Sequence, residues 1–190
     1  MSARLGWIEK AMMLVPGYRG YKKRELLRED DRLLRRYVAD LLREASNTLR
    51  QASSELVQLL GVQAQMMLQQ PGNPVQILNW LTQRIYDVAG QIEHLEAGYS
   101  PSFDRIKVKE EELGKLLEID NQLIGYSNVI SETGKIILSQ IRSSRGFDPR
   151  YLYTIQQSLD ALERIIAERR RFLHGSEAIP GENNNKDKND

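Results

Sequence analysis

The stretch LNWLTQRIYDVAGQIEHLEAGY, residues 78–99, decides the fold. Its apolar positions Leu78, Leu81, Ile85, Val88, Ile92, Leu95 and Tyr99 follow alternating steps of three and four. That spacing is the period of an α-helix with one apolar stripe, and such a stripe has to bury itself against another element. Just upstream, Asn73-Pro74 reads as an N-cap followed by proline at the first helical position. Gln76 is placed for a capping-box contact.

The same period extends in both directions along the chain. Leu34, Val38, Leu41, Ala45, Leu49, Ala52, Leu56 and Leu59 form one seam. Leu116, Leu123, Ile130 and Ile137 repeat every seven residues, with Leu113 and Ile141 alongside. Leu152, Ile155, Leu159, Leu162 and Ile166 form a third, and Leu173 falls a heptad later. The starts and stops agree with the stripes. Glu110, Glu111 and Glu112 favour a helix N-terminus. Asp148-Pro149 is a second capped start, and Arg169, Arg170, Arg171 and His174 precede Gly175 as a helix stop.

The spacing predicts an all-α fold: an antiparallel bundle of four main long helices, over 20–70, 75–98, 109–142 and 149–174, with an N-terminal amphipathic helix over 3–14. Gly61 is a place for the longest helix to break or bend. Unbroken, that helix would be about 75 Å long, against roughly 35 Å for the next. Residues 56–68 are apolar and belong in the core, so the basic stretch 19–36 is the expected overhang. Ile106 and Val108 alternate with Lys107 and Lys109, which allows a short extended stretch before the fourth helix. The organisation expected is an appendage over 1–18, a bundle over 19–175 and a disordered tail over 176–190, where the sequence ends in GENNNKDKND.

Composition narrows the function classes. The 190 residues carry a formal net charge of +1 and no cysteine. No global field steers the chain to nucleic acid or membrane, and thiol catalysis, disulfides and cysteine-ligated metals are excluded. The charge is uneven: residues 1–50 hold 12 Lys and Arg against 7 Asp and Glu, while residues 51–100 hold 1 against 4. The apolar run Ala11 to Val15 is too short for a signal-peptide core, and no run approaches a membrane span. The reading is a cytoplasmic chain.

Chemistry-bearing patterns are sparse. A di-iron bundle needs Glu-x-x-His pairs, but Gln91 and Arg171 stand three residues before His94 and His174. His94 reads as a flank residue and His174 as a helix-end charge. No nucleophile elbow or phosphate loop is present. No catalytic, metal or cofactor residue is therefore assigned, and no cofactor is expected. Glu25–Arg28, Glu29–Arg32 and Asp31–Arg35 can pair across a helical turn, either on a solvated face or on a docking surface. Gly125 and Gly134 lie inside the fourth helix, where they permit close helix approach or mark a flexible strip.

The segment PGYRGYKKR, residues 16–24, is the most specific local feature. Its glycines let the backbone turn tightly, Tyr18 and Tyr21 offer flat amphipathic rings, and Arg19, Lys22 and Lys23 concentrate positive charge. Ahead of it, Leu5, Ile8, Met12 and Val15 form one face, with Trp7 beside it. Such a helix docks into a protein groove or lies at a membrane surface. The contact residues expected are Trp7, Ile8, Met12, Tyr18, Arg19, Tyr21, Lys22 and Lys23.

Residues Pro16 to Lys22, and the later Tyr99, Phe103, Asp104, Lys107 and Val108, resemble a bacterial family of helical-bundle proteins. That family shares a Pro-Gly-Tyr-Arg-Gly-Tyr-Lys start and a Tyr-x-x-x-Phe-Asp-x-x-Lys-Val element. The resemblance implies a bacterial source and a recurring bundle, and no activity. The layout is also similar to phage-shock-type membrane-stress proteins, which pair an N-terminal amphipathic helix with long charged helices. The functional expectation is a non-enzymatic interaction protein, working by a protein partner or by self-association, with the inner face of the cytoplasmic membrane as a second place for its first helix. The alternative is a polyanion-binding module using 19–36, against which Glu29, Asp30 and Asp31 weigh.

Overall fold

The computed structural model describes residues 27–61, 66, 69–95, 110–143 and 146–175. Among them are four helices: α1 (Leu27–Leu60), α2 (Pro74–Glu93), α3 (Glu110–Arg142) and α4 (Arg150–Gly175). The predicted helix over 3–14, the PGYRGYKKR segment, the Glu25–Arg28 pair, the extended stretch at Ile106 to Val108 and the tail 176–190 lie outside the described residues.

Three helix boundaries have a local reason. At α2, the Asn73 side chain accepts the Gln76 backbone N–H at 2.9 Å, and Pro74 follows at the first helical position. The Gln76 side chain reaches back to the Gly72 backbone N–H at 3.2 Å. This is one residue beyond the reciprocal contact of a strict capping box. At α4, an Asp148 carboxylate oxygen accepts the Arg150 backbone N–H at 2.9 Å. α1 stops at Gly61, whose φ of +52° is the left-handed conformation that ends helices.

Among the described residues α1 has 34 residues, which is about 50 Å of helix and close to the 33-residue α3. Two expectations are corrected. Residues 56–68 are not uniformly core: Leu56 is buried, but Leu59 is 48 % and Met66 78 % exposed. The stretch 19–36 is not an overhang over its last turns, because Asp30, Asp31, Leu34 and Arg35 are all buried within the bundle. The seam also runs through Leu42, fully buried, while Leu41 is half-buried.

Side-chain pairings give the helix directions. Ser53 reaches Asn79, Ser46 reaches the Thr82 carbonyl, and Arg35 reaches the Glu93 carbonyl, so α1 and α2 run antiparallel. Arg142 meets Glu55, Gly134 lies against Leu49, and Asp120 and Asp31 share Arg169, so α1 and α3 run parallel. α4 returns antiparallel to α3. The helices pack as a ring in the order α1, α2, α4, α3. Consecutive helices are antiparallel, yet α2 and α3 face each other across a diagonal, and α1/α3 and α2/α4 are parallel neighbours. The core is the continuous set of Leu, Ile, Val and Ala that the stripes supplied, including Leu49, Leu78, Ile85, Leu123, Ile130, Ile155 and Leu162.

One end of the ring holds the α1–α2 and α3–α4 connections. The chain enters α1, leaves α2, enters α3 and leaves α4 at the other end.

Candidate functional site

Each of the four seams carries an ion pair at its rim. Arg43 meets Glu93 between α1 and α2, and Arg142 meets Glu55 at 2.9 Å between α1 and α3. Lys115 lies 3.6 Å from Glu168 between α3 and α4. Between α2 and α4, Arg84 holds Asp160 at 2.6 Å and Glu163 at 2.7 Å, with its guanidinium 5.3 Å from the Trp80 ring centroid. Hydrogen bonds from their arginines hold the Glu55 and Glu93 carboxyls below their ordinary range. Solvent-accessible pairs at a rim fix register more than they add stability.

The charged groups inside the ring are of a different kind. Arg169 of α4 is 1 % exposed and pairs with Asp31 of α1, and its Nε donates to Asp120 of α3 at 3.4 Å. Asp31 also accepts from Arg35 one turn along α1, at 3.1 Å. Arg35 in turn donates to the Glu93 and Leu95 carbonyls at the end of α2. The network touches all four helices at the end where the chain enters α1. One sequence expectation is corrected by it. The Asp31–Arg35 pair exists but is buried rather than solvated, because its face continues the Leu34–Val38 stripe. α4 ends at Gly175 as expected, and Arg169 ahead of that stop is buried, because it stands three residues beyond Ile166 on the stripe of α4. The signal was available: the α4 stripe skips from Ile166 to Leu173, and a charged residue fills the gap.

The outer face of α3 and α4 is the open surface of interest. Tyr126, Val129 and Ile136 stand exposed on α3, although α3 is otherwise the helix whose stripe faces the core. Beside Tyr126, a groove of about 450 Å³ runs along α4. Its small residues are Thr154, Ser158 and Ala161, and Tyr153, Gln157 and Arg164 also line it. Tyr153 is 61 % exposed. The groove offers flat rings and amide groups, with Asp160 engaged by Arg84. At the turn end, a smaller apolar pocket of about 120 Å³ lies among Leu56, Leu60, Asn73, Pro74, Val75, Gly146 and Phe147.

The expected contact residues Trp7, Ile8, Met12, Tyr18, Arg19, Tyr21, Lys22 and Lys23 lie outside the described residues. The α3–α4 surface was not foreseen, since Tyr126, Val129 and Ile136 are single apolar residues between stripe positions and carry no motif. His94 caps α2 and is exposed, as its flank position implied. Among the described residues no group of three His, Cys, Asp or Glu is arranged to hold a metal ion. No described helix is long and apolar enough to cross a membrane. No family model, no curated protein and no solved structure matches the chain.

Proposed function

We propose that the protein is a non-enzymatic interaction module, an adaptor, scaffold or regulatory subunit, that engages another protein along its α3–α4 face. The observation that carries this reading is the exposed row Tyr126, Val129 and Ile136 beside a groove that Tyr153 flanks. Tyrosine is enriched where proteins meet, because its ring buries apolar area while its hydroxyl stays paired. The ionisable groups of the core give the same reading support, since Asp31, Asp120, Arg35 and Arg169 are engaged with one another. The N-terminal stretch with Trp7, Ile8 and Met12, expected from its spacing to be helical, is proposed as a second contact element, for the partner or for the inner face of the cytoplasmic membrane.

The test compares two faces. Quantitative co-purification from the native cell is run with the unchanged chain, with a Tyr126→Ala/Ile136→Glu variant, and with an Arg170→Glu variant on a different exposed position. The reading expects one protein lost with the α3 variant and kept with the α4 charge variant, at equal melting temperature. Identical recovery from all three overturns it. The polyanion alternative is weakened by Arg35, whose guanidinium is buried against the α2 carbonyls. Binding to RNA or DNA that falls steeply with salt would revive it.

A further inference from the structure

Three stretches of helix carry no charged residue: Pro74 to Gln83 on α2, Asn121 to Ser131 on α3, and Tyr151 to Leu159 on α4. The rim pairs set them at one level. Counting along parallel helices from Arg84–Asp160 puts the α2 stretch beside that of α4. Counting along antiparallel helices from Lys115–Glu168 puts the α3 stretch beside it on the other side. The result is an uncharged belt across three helices, with Trp80, Tyr126 and Tyr153 exposed on it. The groove of about 450 Å³ along α4 lies in this belt, and its size is that of a small-molecule site.

The charged residues lining the groove are Asp160 and Arg164, one of each sign. Arg84 holds the Asp160 carboxylate at 2.6 Å, and Arg164 Nε donates to the Asp160 backbone carbonyl at 3.1 Å. With no surplus of either sign, the groove offers a phosphate or a carboxylate little attraction. An apolar ligand is answered no better, because it would strip water from hydroxyls and amides without replacing it. The Thr154 and Ser158 hydroxyls donate to carbonyls of their own helix, so they turn lone pairs outward. The Gln156 and Gln157 amides bring both donors and acceptors. Tyr126 and Tyr153 add flat rings to the walls.

A sugar ring has the matching features. Each of its hydroxyls both donates and accepts, and its C–H faces lie flat against aromatic rings. A polypeptide offers one backbone donor and one acceptor per residue along a single line. We propose that the α4 groove binds a neutral oligosaccharide, with its C–H faces on Tyr153 and Tyr126 and its hydroxyls on Gln156, Gln157, Thr154 and Ser158. The protein contact proposed above draws on the α3 row and shares only Tyr126 with this site, so either reading can fail alone.

Calorimetric titration of the full chain with maltotriose, cellotriose and chitotriose tests it. At least one should bind saturably, with a dissociation constant on the order of 0.1–5 mM, as suits an open groove. Binding should shift the NMR signals of the Gln156 and Gln157 side-chain amides. It should stay level between about 50 and about 500 mM salt. Tyr153→Ala should weaken it about tenfold or more, Tyr153→Phe should keep most of it, and Arg170→Glu should leave it unchanged, all at equal melting temperature. No saturable binding of any of the three at about 20 mM, or equal binding by Tyr153→Ala, overturns the proposal. So does binding that falls steeply with salt. Acetylated and amidated trialanine shifting the same amide signals while all three sugars do not would hand the groove to a polypeptide and overturn it too.

Discussion

Arg169 shows what one residue can do to a helical stripe. Its guanidinium sits where Ile or Leu would continue the core, and two aspartates from other helices converge on it. Removing Arg169 takes a buried countercharge away from both carboxylates and leaves Asp31 to Arg35. That costs about 3–5 kcal/mol, far more than the intact network contributes. Arg169→Met should therefore lower unfolding free energy by about that amount in a urea titration. Adding Asp31→Asn and Asp120→Asn to it should recover part of the loss, because neutral amides no longer carry the stranded charge. A single variant as stable as the unchanged protein would show that the network is solvated. The residue scale is also where sequence reading was weakest. Leu34, Leu78, Leu123 and Leu162 were legible as core because apolar burial repeats with the helix. Asp31, Asp120 and Arg169 occupy the same register, but a charged residue on a stripe can be read as inward only once its countercharge is located, and the countercharges sit on other helices.

At the scale of elements, boundaries were legible wherever a side chain fixes the backbone. Asn73-Pro74 placed the start of α2, and Asp148-Pro149 placed the start of α4 within a residue. Asn73→Ala should cost about 1 kcal/mol, since it strips the acceptor from the Gln76 N–H. Chemical denaturation measures this directly, and Asn73→Ser should restore most of it. The end of α1 was half legible: Gly61 was marked as a place to break or bend, and α1 ends just before it, but apolar residues continue beyond it, so periodicity alone ran the helix on. The left-handed backbone at Gly61 is a fact of local conformation, and the stripe carries no trace of it. Gly134 is the reverse case. A Cβ there would meet Leu49 at 3.6 Å, an ordinary contact, so the glycine brings α1 and α3 close without being required by a clash.

Across the whole molecule, four helices were predictable and their arrangement was not. Stripe width says that each helix has neighbours, but the ring order α1, α2, α4, α3 depends on which stripes interlock. The rim pairs that reinforce it are half-buried or exposed residues with no sequence signature. They do leave a pH signature. The Glu55, Glu93 and Asp148 carboxyls are each held below their ordinary range, first by hydrogen bonds from Arg142, Arg43 and Arg150. A depressed folded-state value means the folded chain binds fewer protons than the unfolded one. Their contribution is thus present in full above the ordinary carboxylate range near 4.5 and is lost as pH falls through the lowered values. The melting temperature should hold level from about pH 7 to about 5 and decline below about 4. A decline already complete at pH 5 would contradict these pairings.

The diagonal passage from α2 to α3 divides the ring into two antiparallel hairpins, α1–α2 and α3–α4, joined by one strand of chain. Each hairpin alone would expose the apolar side it presents to the other, and the first would keep Asp31 without Arg169. Cleaving the backbone between residues 95 and 110 should therefore yield two fragments that are poorly helical apart. Mixed in equal amounts, they should reconstitute a one-to-one complex, so the molecule lends itself to split-protein complementation.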